Sequence, residues 1–124
     1  PEETTESISL PQDSREFLSI KTDHMVSLVK FENIIYLESM GEYVRIHTTE
    51  GKTLTTLYRL KKMETVLPAD TFMRVHRSYI VNVKKVKEIE RMRVVIGGER
   101  IPIGNSYKQQ FLDFLRLHTL DREK

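Results

Sequence analysis

The sequence predicts a mainly β domain with a short inner α-helix and a C-terminal helix. From Phe17 onward the apolar residues recur with period two or in short runs, glycine-bearing turns separate several of those runs, and only two stretches change to helical spacing. A chain of 124 residues can bury a core of its own without disulfides or metals, so one domain is expected.

The first sixteen residues, "PEETTESISLPQDSRE", hold too few large apolar side chains for a core and carry five acids against Arg15. They read as an acidic interdomain linker (1–16), or else as an ordinary terminus, ahead of the folded unit at 17–124. Strands are expected in "FLSIKT", "HMVSLVK", "NIIYLES", "YVRIHTT", "KTLTTL", "MRVHRSYIVNV", "VKEIER" and "RVVI". Glu50-Gly51 and Gly97-Gly98 have the chemistry of hairpin turns. In "LYRLKKMETVLP" the residues Leu57, Leu60, Met63, Glu64 and Leu67 make the stripe of a short helix, which Pro68 ends. In "NSYKQQFLDFLRLH" Ser106 and Gln109 fit a capping box, with Tyr107, Phe111, Phe114, Leu115 and His118 on one face. Tyr36, Phe72, Tyr79, Phe111 and Phe114 are expected in the core.

Several function classes find no support. Cysteine is absent, which removes thiolate zinc sites and cysteine nucleophiles and fits a reducing cytoplasm. Gly51-Lys52-Thr53 resembles the end of a phosphate-binding loop, but Ile46 stands where that loop needs its first glycine. His24, His47, His76 and His118 are scattered, without the spacing of a metal-binding helix, and no glycine-flanked serine suggests a nucleophile elbow. Neither an enzyme nor a cofactor is expected. No apolar run is long enough for a membrane span.

The net charge of +2 conceals a division: the first sixteen residues sum to −4, while Met73 to Arg93 carries seven Lys and Arg against Glu88 and Glu90. Such a stretch suits a polyanion, and equally a solvated strand edge guarded by lysine. Within "FMRVHRSYIVNVKKVKEIE", Arg77 appears where the alternation calls for an apolar residue, so the strand ends or bends there. Arg77 offers paired donors to a guanine and Ser78 a hydroxyl to a phosphate, while His76 either joins them or anchors the turn by hydrogen bonding.

That stretch resembles the signature of the LytTR family of bacterial DNA-binding domains, an aromatic followed by a basic-His-polar-Ser turn and an apolar run ending in Asn. "IIYLESMGEYVRIHTTEGK", "LYRLKKMETVLP" and "IPIGNSYKQQF" are similar, in the same order, to the family's first loop and hairpin, inner helix and C-terminal contact segment. The resemblance covers roughly Asp23 to Leu117. It implies an elongated stack of small antiparallel sheets, with loops at sheet ends entering the major groove in place of a recognition helix.

Carried over by position, the resemblance puts Tyr43 near a base and Arg45 near a phosphate in the first loop, and His76, Arg77 and Ser78 on DNA in the second. Asn105 stands at a base-reading position where arginine is common in the family, and asparagine favours adenine edges over guanine. Ser106, Tyr107 and Lys108 follow as phosphate contacts near a helix start. The plainer readings are a cross-strand aromatic for Tyr43, a turn residue for Asn105 and solvated surface for Lys108.

The resemblance further implies a transcriptional output domain of a two-component response regulator, with tandem duplex sites, pairing on DNA, and a receiver domain that answers a sensor kinase. The alternatives are a protein-interaction module on the same fold, and a single-strand RNA binder that would show a row of exposed aromatics on one sheet.

Overall fold

The computed structural model describes residues 17–21 and 24–118, within which ten strands and two α-helices alternate with single-turn 3-10 segments. The expected linker and the side chain of His118 lie outside the described residues.

The strands form three antiparallel sheets. β1 (Phe17–Lys21) pairs with β2 (Val26–Lys30). The central sheet runs in the order β5-β4-β3-β7-β6, built from β3 (Ile34–Met40), β4 (Tyr43–Thr48), β5 (Thr53–Leu57), β6 (Phe72–His76) and β7 (Tyr79–Asn82). The third sheet joins β8 (Val86–Ile89), β9 (Arg93–Ile96) and β10 (Glu99–Pro102). Helix α1 (Leu60–Val66) stands between β5 and β6, and α2 (Lys108–His118) closes the described chain. This is the stack of small sheets that the resemblance implies.

Alternation along the central strands creates two cores, one on each face. Ile34, Leu37, Val44, Ile46 and Ile80 meet Ile20 and Val29 of the first sheet, Leu60 and Met63 of α1, and Leu67 just after it. On the other face Tyr36, Val75 and Val81 meet Val94, Ile96 and Ile101 of the third sheet and Phe111 of α2. Fully burying one such aliphatic side chain contributes about 1.5–3 kcal/mol, so both outer layers are held mainly by apolar contact.

Asn82 supplies the polar joint. Its side chain is 1% exposed, its amide donates to the carbonyls of Ile34 at 2.8 Å and Phe31 at 3.4 Å, and its oxygen accepts from the Lys84 N–H at 2.9 Å. The signature asparagine therefore ties the end of β7 to the start of β3.

The turns are of two kinds. Gly97 and Gly98 have φ of +54° and +82° and close β9 onto β10, as their chemistry predicts, and Thr49 to Lys52 close β4 onto β5. The β8–β9 turn has no such signal: Arg91 and Met92 both hold left-handed φ, 51° and 59°, while Glu90 and Arg93 exchange backbone hydrogen bonds at 2.9 and 3.0 Å.

Two helix expectations change. Leu57 belongs to β5 and is exposed, because its pairing with Tyr43 carries the strand to that point and α1 starts three residues later. Ser106 is no capping residue: Asn105–Tyr107 form a 3-10 turn, and Gln109 donates instead to Asp113 at 3.0 Å. Tyr36, Phe72 and Phe111 are buried as expected, whereas Tyr79 and Phe114 are half-buried at the margin.

Candidate nucleic-acid interface

Sheet order decides which loops meet. Because β3 pairs with both β4 and β7, the β3–β4 turn at Gly41-Glu42 and the β6–β7 turn at Arg77-Ser78 lie at one end of the central sheet. The Ser39 N–H donates to the Ser78 carbonyl at 2.9 Å across that end. β5 also terminates there, since Leu57 pairs with Tyr43, and it delivers Tyr58, Arg59 and the start of α1. The last loop docks on the β6 edge: the Gly104 N–H donates to the Val75 carbonyl at 2.7 Å. A side chain at Gly104 would meet the Tyr107 ring at 3.3 Å and His76 at 3.5 Å, so its bare backbone permits the close approach.

The β6–β7 hairpin owes its shape to a bulge. Pairing shifts between Arg74 and His76, which inserts Val75 as an extra residue and drives its side chain fully into the second core. His76 accepts the Ser78 N–H on Nδ1 at 3.1 Å and sets its ring edge-on to Tyr79 at 5.6 Å. It is the turn anchor that the sequence offered as one of its two readings. The same hydrogen bond makes Nδ1 the unprotonated ring nitrogen of that tautomer.

Of the nine residues singled out from sequence, seven come together: His76, Arg77 and Ser78 on the β6–β7 turn, and Asn105, Ser106, Tyr107 and Lys108 on the segment packed against it. Arg77, Asn105 and Ser106 are exposed; Ser78, Tyr107 and Lys108 are half-buried. Tyr43 is 50% exposed at the start of β4, on the same end but three strand spacings from β6, roughly 14 Å away. That span is close to the width of a B-DNA major groove, about 12 Å. Arg45 lies deeper along β4, half-buried opposite Glu38 and Thr55.

Further cations gather around Arg77. A groove of about 1000 Å³ opens between the β3–β4 turn, the start of α1 and the β6–β7 turn, lined by Arg59, Lys61, Lys62, Arg74 and Arg77 against Glu42. The basic stretch read from sequence does not form one patch. Lys84 and Lys85 follow β7 at the opposite end of the sheet, and the Arg74 guanidinium is paired with Glu64 at 2.9 Å. No local signal marks the groove, because it joins two segments through the β3–β7 pairing; only the density of Lys and Arg in "YRLKK" hints at it.

Behind the sheet end, Tyr36 stacks on His47 with ring centroids 4.2 Å apart, and His47 Nε2 meets Glu38 Oε1 at 2.7 Å. Burial pushes the Tyr36 phenol up to about 12, with the Glu38 and Glu99 carboxylates acting in the same direction. Tyr79 is raised for the same causes in the same order. These tyrosines face the second core, so the exposed aromatic row required of an RNA-stacking sheet is not what this face presents.

A family model described as LytTr DNA-binding domain matches residues 24–116. The chain belongs to this family. Among proteins similar to this LytTr domain are the transcriptional regulatory protein LytR of Staphylococcus aureus (strain N315), 32% identical over 100 residues, and the sensory transduction protein LytT of Bacillus anthracis, 28% identical over 106. Those matches cover 76% and 81% of this chain but 40% and 43% of the relatives, so the chain spans less than half the length of the curated proteins it matches. A solved LytTr DNA-binding domain from Bacillus cereus superposes with a TM-score of 0.70 at 33% identity, covering 81% of this chain and 96% of that one. Among the described residues, no helix is long and apolar enough to cross a membrane, and no group of three or more His, Asp or Glu is placed to hold a metal.

Proposed function

We propose that this LytTr domain binds duplex DNA with sequence preference, reading base edges in the major groove with Tyr43, Arg77 and Asn105. The single observation that carries this is the convergence of the β3–β4 turn, the β6–β7 turn and the 3-10 segment at one end of the central sheet. Arg77 can give bidentate N–H donors to the O6 and N7 of guanine, and Asn105 can pair with an adenine edge. Ser78, Ser106, Tyr107 and Lys108 would hold phosphates on one side of the groove. Arg45, with Arg59, Lys61 and Lys62 of the cationic groove, would hold those on the other, while His76 acts by shaping the turn. The mechanism is non-catalytic: phosphate contacts release counterions and give affinity, and base contacts give preference.

The biological setting we propose is the output half of a response regulator in a bacterial cytoplasm. A receiver domain joined through residues 1–16 would answer a sensor kinase, and two copies would occupy tandem sites about one helical turn apart. The names of the relatives support this setting, and the greater length of those proteins leaves room for a receiver.

Selection from randomised duplexes tests the reading, followed by binding of the enriched duplex to wild type and Arg77→Ala. The expected result is a short enriched motif, with preference relaxed at one base in Arg77→Ala by about 1–3 kcal/mol. Binding that is salt-sensitive but blind to sequence would reject it.

A further inference from the structure

Arg74 reaches more of the recognition end than any residue chosen from sequence. It lies on β6 with its side chain only 11% exposed. Its Nε donates to the His76 carbonyl at 3.0 Å, and one terminal nitrogen donates to the Arg77 carbonyl at 2.6 Å. The other terminal nitrogen pairs with Glu64 of α1 at 2.9 Å, and the guanidinium carbon lies 5.7 Å from the centroid of the Tyr107 ring. One planar group thus grips both carbonyls at the start of the β6–β7 turn, leans on the third loop, and is braced from α1.

We infer that Arg74 is a positioning residue for sequence readout: with Glu64 as its brace, it fixes the Arg77-Ser78 turn and holds it in register with the Asn105–Tyr107 loop. The inference rests on the DNA reading above. The fork geometry is the argument. The bulge at Val75 leaves the His76 and Arg77 carbonyls at a sheet edge, and a guanidinium with separate N–H vectors can hold two carbonyls and a carboxylate together in one plane. A lysine in its place keeps the charge and can reach Glu64, but its point-like ammonium cannot reproduce that planar set. Arg74 then contributes little to phosphate affinity directly, because its donors are already engaged. Its effect falls on preference between sequences, since a reading side chain has to be held to within about half an ångström to distinguish bases.

The test uses wild type, Arg77→Ala, Arg74→Lys and Glu64→Gln on the enriched duplex and on a scrambled one across a salt series. Amide hydrogen exchange of the free proteins is measured alongside. The expected result for Arg74→Lys is a drop of about tenfold in preference for the enriched duplex, the scale of one bidentate base contact. Scrambled-duplex affinity and salt slope should stay at wild-type values, with only a small fall in melting temperature from the lost carbonyl contacts, and Glu64→Gln should show a smaller loss of preference. Exchange should quicken at the Ser78 amide and not at Ile80 or Val81. Retained preference in Arg74→Lys overturns the inference. So does equal weakening on both duplexes with a shallower salt slope, which would make Arg74 a phosphate contact. A large fall in melting temperature with faster exchange throughout β6 and β7 overturns it as well, in favour of a plain folding role. If wild type and Arg77→Ala show no preference at all, the DNA reading itself fails, and the inference falls with it.

Discussion

Residues with two plausible roles are where physical detail decides. His76 is half of a turn clamp whose ring nitrogen is occupied by the Ser78 amide, whereas Arg77 beside it is exposed. Sequence parity groups Phe72, Arg74 and His76 on one face but cannot reveal the bulge at Val75, which is why the engaged state of Arg74 was illegible while the break at Arg77 was plain. Tyr36 offers a test that needs no DNA. Its phenol, pushed up to about 12 chiefly by burial, stays neutral in the folded protein through a pH range in which an unfolded tyrosine ionises near 10. The stabilisation from keeping it neutral is therefore complete below pH 10 and is lost as pH rises through 12, amounting to roughly 2–3 kcal/mol. Ultraviolet titration of phenolate should show Tyr36 and Tyr79 ionising later than the other tyrosines, with Tyr36 last. In Tyr36→Phe the last step should vanish while that of Tyr79 remains, and alkaline unfolding should become less steep.

At the level of hairpins, turn chemistry was legible wherever glycine carries it. The Gly97-Gly98 and Glu50-Gly51 turns stand where the dipeptides put them, but the Arg91-Met92 turn holds two left-handed residues with no glycine to announce them. Helix ends were less legible: strand pairing with Tyr43 claims Leu57, and a 3-10 turn claims Ser106, neither of which helical periodicity can detect. Gly97 also does more than turn the chain. A Cβ there would lie 2.9 Å from Ile35 Cγ2, against the central sheet, whereas one at Gly98 would meet open space. Gly97→Ala should thus cost about 2 kcal/mol, from left-handed strain together with the clash, and lower Tm by roughly 10 °C. Gly98→Ala should cost about half of that, and thermal melts of the two variants make the comparison. Equal losses would show that Ile35 yields without penalty.

Across the molecule, the proposed function divides affinity and preference between different sets of side chains. With about six phosphates neutralised, the logarithm of affinity should fall against the logarithm of salt concentration with a slope near −5. Changing Lys61 and Lys62 together to Ala should make that slope shallower by nearly 2, without altering which duplex is preferred, as a salt series on enriched and scrambled duplexes would read out. An unchanged slope would remove the cationic groove from the footprint. The overall class, a β stack with an inner and a terminal helix, was legible because periodicity is local; the assembly of the groove was not, because it depends on strands far apart in the chain.

Among the described residues, every strand pairing but one joins neighbours along the chain, and the exception is β3 with β7, which brings together positions 41 to 45 residues apart. Closing a loop of that length costs about 3 kcal/mol of chain entropy before any contact offsets it. An excised β6–β7 hairpin would carry Arg77 but neither the β3–β4 turn nor the start of α1. The end of the protein proposed to meet a promoter therefore exists only in the completed fold, and a folding intermediate or a proteolytic fragment that lacks the β3–β7 closure has no such end to offer.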